Sequence, residues 1–194
     1  MGDDTIGGPV LGTDGKLRCP WAGATEEYMA YHDTEWGKPV RDEQGLYERL
    51  MLEAFQSGLS WLTILRKREG IRQAFGQFVP EHVAAFTDAD IERLMQDARI
   101  IRNRQKINAA ITNARATVAL REHGGLGDLI WSFAPQATPA PNTIHDVPAI
   151  TPESTALAKA LKKAGFVFVG PTTAYAAMQA IGLVNDHLAT CHAR

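Results

Sequence analysis

The densest chemistry in the chain lies in one short stretch, Cys19-Pro-Trp21-Ala-Gly-Ala-Thr-Glu-Glu-Tyr28-Met-Ala-Tyr31-His32-Asp-Thr-Glu-Trp36, which holds a thiol, an imidazole, two indoles and two phenols. The far end answers it with His187-Leu-Ala-Thr-Cys191. Cys19 and Cys191 are the two cysteines of the 194 residues, and each lies near a histidine. Two sulfurs and two nitrogens, from Cys19, His32, His187 and Cys191, make a donor set suited to a closed tetrahedral zinc site. On a helix, the i and i+4 spacing of His187 and Cys191 places both side chains on one face. Four protein ligands leave no open coordination position, so such an ion is structural. By analogy with a disulfide, a clip between positions this far apart stabilises the fold by roughly 3–5 kcal/mol. His192 offers an alternative ligand. The competing reading makes the cysteines small buried hydrophobes and leaves the histidines at the surface, and spacing alone does not separate the two.

A second constellation surrounds Glu53, which stands in Leu52-Glu-Ala-Phe55 toward the apolar end of a helical pattern. A carboxylate among core residues is costly unless it is paired or used; on the solvent edge of the helix it carries no message. Tyr31, Trp21, Trp36 and Trp61 offer aromatic faces for stacking a planar, cationic ligand, against the plainer reading that they belong to the core, as Trp131 does. Basic residues cluster at Arg66, Lys67 and Arg68, and again at Arg99, Arg102, Arg104 and Lys106. The second cluster surrounds a short turn between two helices, Ala98 to Asn103, which resembles a helix-hairpin-helix. Free amides at the start of its second helix make a site for a phosphate. The alternative for either cluster is a solvated charged helix face.

Nearly every segment that must position these groups reads as helix. Thr25 predicts one helix start, with Glu26 and Glu27 in its first turn. Asp42 predicts another, carrying Leu46, Leu50, Ala54 and Phe55 on one stripe and stopping near Gly58. Ser60 opens a third, which ends in the basic cluster before Gly70. Pro80 starts a short turn, Thr87 to Asp90 resembles a capping box leading the helix Ile91 to Gln96, and after a few residues a long amphipathic helix from Ile100 runs to His123 and halts at Gly124-Gly125. Asp128 to Phe133 reads as a short helix and the prolines from Pro135 to Pro148 as an irregular loop. Thr151-Pro152-Glu153 starts a helix ending at Gly165, and Thr172 to Ile181 is the last one. The expected fold is all-α, with residues 1–16 a flexible tail, residues 17–194 one helical domain, and the two ends of the chain adjacent.

Composition bounds the function. Hydrophobic residues at 45% and charged residues at 22% are ordinary for a globular chain. A net charge of −2 excludes a globally basic protein and leaves room for a local basic face. No apolar run is long enough to cross a bilayer and no signal peptide is evident. Two cysteines do not make a secreted disulfide scaffold, so a reducing, cytoplasmic setting is expected.

Several motifs in order carry a resemblance: Arg18-Cys-Pro-Trp21, Tyr31-His-Asp-Thr-Glu-Trp-Gly37, Gly58-Leu-Ser-Trp61, Ile100-Ile-Arg-Asn-Arg104, Phe166-Val-Phe-Val-Gly-Pro-Thr172 and Val184-Asn-Asp-His187. From Leu17 to His192 the chain resembles the DNA-3-methyladenine glycosylase I family of the helix-hairpin-helix glycosylase superfamily. It departs from some relatives at Arg99 and Gln105, where glycine is expected. The resemblance implies an enzyme that flips 3-methyladenine out of alkylated duplex DNA and hydrolyses its N-glycosidic bond. It implies a structural zinc on Cys19, His32, His187 and Cys191, catalytic roles for Glu53 and Tyr31, base stacking by Trp21, Trp36 and Trp61, and backbone contacts by Arg99, Arg102, Arg104 and Lys106. A base alkylated at N3 is already cationic and leaves neutral, so Glu53 serves by favouring the charge rather than by protonating the base. No lysine stands out as a nucleophile and Asp128 is not promoted to water activation, so hydrolysis without strand cleavage by a monomer is expected. Two other readings are a zinc-stabilised module that binds alkylated DNA without releasing the base and a zinc hydrolase acting on a small nucleotide.

Overall fold

The caps read from the sequence do start the helices. In the computed structural model, which describes residues 7–194, the Thr25 hydroxyl accepts from the Tyr28 amide at the start of α1 (Glu26–Thr34), and Asp42 accepts from the Gly45 amide at α2 (Glu43–Gln56). Ser60 caps α3 (Trp61–Ala74), Pro80 begins the short α4 (Pro80–Ala84), and Thr87 with Asp90 forms a reciprocal box at α5 (Asp88–Gln96). Asn103 caps α6 (Arg104–Leu120); Gly124, at φ 97°, separates the following 3₁₀ turn from α7 (Gly125–Trp131). Thr151 caps α8 (Pro152–Lys163), and Gly170 precedes α9 (Pro171–Ile181). Each side-chain cap stabilises its helix by about 1 kcal/mol.

The core forms around α2, where Leu46, Tyr47, Leu50, Met51, Leu52 and Phe55 are all buried. It packs against α3, α6, α7 and α9, so its apolar residues wrap most of the helix rather than one stripe. The Tyr47 hydroxyl donates to the Ala110 carbonyl of α6, satisfying the polar end of a ring that is otherwise core. Because α2 is covered on nearly every side, a carboxylate at its position 53 has no route to bulk solvent except through a cavity.

Three details depart from the sequence reading. First, α3 does not stop before Gly70 but runs on to Ala74; a Cβ at Gly70 would stand 2.7 Å from Arg99 Cβ, so the glycine admits a neighbouring turn rather than ending a helix. Second, the segment carrying His187 and Cys191 is a series of turns, not a helix; the Cys191 amide donates to the Leu188 carbonyl, and that turn brings the two side chains together. Third, of the tail 1–16, residues 1–6 lie outside the described residues, while Val10–Leu11 pairs antiparallel with Leu17–Arg18, the one hairpin among the described residues. Residues 164–170 form a tight turn, with Gly165 at φ 94° and Phe168 at φ 63°. Asn113 of α6, fully buried, holds that turn by donating to the Val167 carbonyl and accepting from its amide. The ends of the chain do meet, since the His192 amide donates to the Leu17 carbonyl. No described helix is long and apolar enough to cross a membrane.

Candidate active site and metal centre

Cys19, His32, His187 and Cys191 are all buried, and one sulfur or nitrogen from each lies within 4.8 Å of the others. Cys19 follows the hairpin, His32 comes from α1, and His187 and Cys191 come from the turns after α9. His32 Nδ1 bonds Asp33 Oδ1 at 2.7 Å, and His187 Nε2 donates to the Trp36 carbonyl at 3.0 Å. These partners accept protons, so the remaining nitrogens, His32 Nε2 and His187 Nδ1, present lone pairs to one another at 3.1 Å. Burial disfavours the charged imidazoles, pulling His32 down and His187 to about 4. Cys191 Sγ completes the group at 3.4 and 3.6 Å from the two nitrogens. Facing lone pairs are satisfied together by a cation, and the four residues could hold a metal ion. Burial raises the Asp33 carboxyl, but hydrogen bonds from Arg18, His32 and His192 outweigh it and hold Asp33 well below the usual range. His192 therefore buttresses Asp33, at 3.0 Å, from the surface.

Beside this centre lies a cavity of about 600 Å³. Trp21, Tyr31, Trp36, Trp61 and Glu53 all line it, so the structure brings together every expected pocket residue. Trp21 meets Trp36 edge-on at 5.1 Å, and Tyr31 tilts against Trp61 at 5.2 Å between centroids. The Tyr28 hydroxyl accepts from the Leu62 amide, fixing α1 against the start of α3. Glu53 is 7% exposed, and among the described residues no protein hydrogen bond reaches its carboxyl. Burial raises its pKa to about 8, only partly offset by the Arg49 guanidinium. Burial also drives the Tyr31 phenol up, with the Glu53 charge adding to it. The Trp61 indole N–H is buried without a partner among the described residues. Behind this wall Glu35 accepts from Arg49 and from both terminal nitrogens of Arg68, so Arg68 of the first basic cluster is committed inward.

The second basic cluster divides. Lys106 is buried and its ammonium donates to the Phe55 and Ser57 carbonyls at 2.9 and 2.5 Å, capping the end of α2. It is turned toward the protein rather than outward as expected, because carbonyls at the end of α2 and at its cap satisfy the ammonium. Arg99 pairs with Asp97 and Arg104 with Glu92 at the surface, while Arg102 is exposed with no ion pair among the described residues. Asn103 already occupies one amide at the start of α6. A second helix–turn–helix is formed by α8 and α9; its α9 start has no side-chain cap, and Lys159, Lys162 and Lys163 stand exposed beside the turn.

Sequence reasoning missed Tyr28, Tyr175, Gln179 and Asp186 as cavity residues. Asp186 lay within the quoted Val184-Asn-Asp-His187 stretch; Tyr175 and Gln179 gave no signal beyond their place on an apolar helix.

Fold and cavity together define a helical enzyme whose aromatic site, large enough for a nucleobase, holds a buried carboxyl without a partner among the described residues. The model of the methyladenine glycosylase family matches residues 21–194. DNA-3-methyladenine glycosylase 1 of Escherichia coli (strain K12) is 51% identical over 178 residues, covering 90% of this chain and 95% of that protein. A crystal structure of 3-methyladenine DNA glycosylase I superposes with a TM-score of 0.87 at 48% identity, covering 90% of this chain and 98% of that one. A tyrosine-to-phenylalanine variant of such an enzyme, solved in complex with 3-methyladenine, superposes with a TM-score of 0.83 at 35% identity, covering 88% and 93%. The chain belongs to the methyladenine glycosylase family, and it is an enzyme, a DNA N-glycosylase.

Proposed function

We propose that this enzyme hydrolyses the N-glycosidic bond of 3-methyladenine in alkylated duplex DNA, releasing the base and leaving an abasic site. The observation that carries the reading is the Glu53 carboxyl, buried in an aromatic cavity with no hydrogen-bond partner among the described residues; that burial favours its neutral form. Such a group is costly while empty and favoured by a cationic hydrogen-bond donor. A purine methylated at N3 supplies the charge and, at its exocyclic amine, the donor. The relative solved with 3-methyladenine bound supports that choice.

The damaged nucleotide has to leave the stack to reach a cavity of this depth, and a cationic methylated base is cheap to extrude. Trp21, Trp36 and Trp61 offer faces to the flipped base, each worth roughly 0.5–2 kcal/mol against a cation. When the bond from C1′ breaks, its electron pair passes to the base and cancels the positive charge, while a water oxygen bonds C1′ and loses a proton. Neutral adenine leaves Glu53 unsatisfied, which disfavours the undamaged base. No lysine lines the cavity among the described residues, so no amine is placed to form the covalent intermediate that strand cleavage requires. The DNA backbone runs over the α8–α9 turn, whose uncapped amides and lysines suit phosphates, and along Arg102. Arg99 and Arg104 join if they exchange their surface partners.

The metal is zinc. For Zn–N near 2.05 Å and Zn–S near 2.3 Å, tetrahedral ligands stand about 3.3–3.8 Å apart, close to the 3.1, 3.4 and 3.6 Å between donors here. Four protein donors make its role structural, and thiolate ligation fits a reducing, cytoplasmic compartment. The test is release of free base from methylated DNA by the wild type and by Glu53→Gln. Release of 3-methyladenine, reduced at least about 100-fold in the variant, is expected. A folded, zinc-loaded wild type that releases none sinks the reading.

A further inference from the structure

The cavity holds a second carboxylate that the reaction above leaves without a role. Asp186 lies in the turns after α9, 7% exposed, immediately before the metal-centre residue His187. Its Oδ2 accepts from the Tyr175 hydroxyl at 2.6 Å and from Gln179 Nε2 at 2.8 Å, two side chains one turn apart on α9. Its other oxygen has no protein partner among the described residues and is not sealed off. Asp186 lines the base cavity together with Glu53, and it also lines an adjoining cavity of about 380 Å³ walled by the proline-rich loop.

A cation entering this cavity meets two carboxyl groups, and each favours a positively charged ligand. The two are held differently. Glu53 has no partner among the described residues, whereas two neutral donors pin Asp186, so its charge keeps a fixed place. A fixed charge beside the ligand costs no reorganisation when the ligand arrives. We propose that Asp186 contacts the bound nucleotide and, together with Glu53, makes the cavity select a positively charged purine. This rests on the glycosylase reading and deepens it: Glu53 takes the hydrogen bond and Asp186 supplies the standing field.

Quenching of the cavity tryptophans by two free ligands tests the assignment. One is 3,9-dimethyladeninium, a permanent cation with no sugar to lose; the other is neutral 3-methyladenine. Asp186→Asn is expected to weaken the cation about tenfold or more and the neutral base by less than about twofold. Asp186→Glu restores the preference for the cation. Metal content is measured alongside, because the residue adjoins His187, and Asp186→Ser replaces the Asn variant if that one loses metal. Equal weakening of both ligands makes Asp186 a packing residue and overturns the proposal, as does an unchanged cation affinity. A folded, metal-loaded wild type that binds neither ligand overturns the glycosylase reading and this proposal with it.

Discussion

Removing the Glu53 charge should stabilise the free enzyme while it destroys function. The carboxyl has a folded pKa of about 8 against an ordinary 4.5, so between those values the native state binds more protons than the unfolded chain. Stability therefore falls as pH rises through this window. At about 1.36 kcal/mol per unit, Glu53 costs about 1 kcal/mol at pH 5, about 3 at pH 7 and about 4 at pH 8. A buried glutamine amide without a partner costs about 1 kcal/mol of its own. Glu53→Gln is thus expected to be neutral at pH 5 and about 2 kcal/mol more stable at pH 7. That is a rise in melting temperature of about 4–8 °C for a chain of this size. Thermal melts of both proteins across pH 5 to 8, without ligand, measure it, and the other titrating groups cancel in the difference. A variant that melts at or below the wild type at pH 8 refutes the reasoning, because it means that Glu53 is solvated or paired. The trade of stability for activity is expected of a site built to meet a cation.

Further outcomes follow from other contacts. Chelation, or Cys191→Ser, should lower the melting temperature by about 6–20 °C, since a clip of this kind contributes roughly 3–5 kcal/mol; added zinc is expected to restore the chelated wild type but not the variant. Lys106→Met leaves the Phe55 and Ser57 carbonyls bare and should cost about 2–3 kcal/mol in chemical denaturation, with the salt dependence of DNA binding unchanged. Arg102→Ala should do the reverse, leaving stability alone and reducing the slope of log K against log salt by about 1. Asn113→Ala removes both bonds to Val167 and should cost about 2–3 kcal/mol; faster amide exchange in residues 164–170 would show the turn loosening.

The sequence by itself determined the helices and the set of capable side chains. Thr25, Asp42, Ser60, Thr87 and Thr151 each begin a helix where a short polar side chain can bond amides two or three residues on, and that interaction is local. The four sulfur and nitrogen donors and the Glu53-aromatic set were legible as residue types. What each neighbour contributes was decided only by tertiary structure. Gly70 resembles a helix stop until the turn at Arg99 is seen resting on it. Lys106 resembles a DNA contact until the end of α2 is found in front of its ammonium. His187 and Cys191 meet without the helix that their spacing suggested. Asp186 became a cavity residue only when α9 brought Tyr175 and Gln179 to it. Caps and periodicity act over a few residues, whereas burial and the direction of a charge depend on partners up to more than a hundred residues away, which no local pattern encodes.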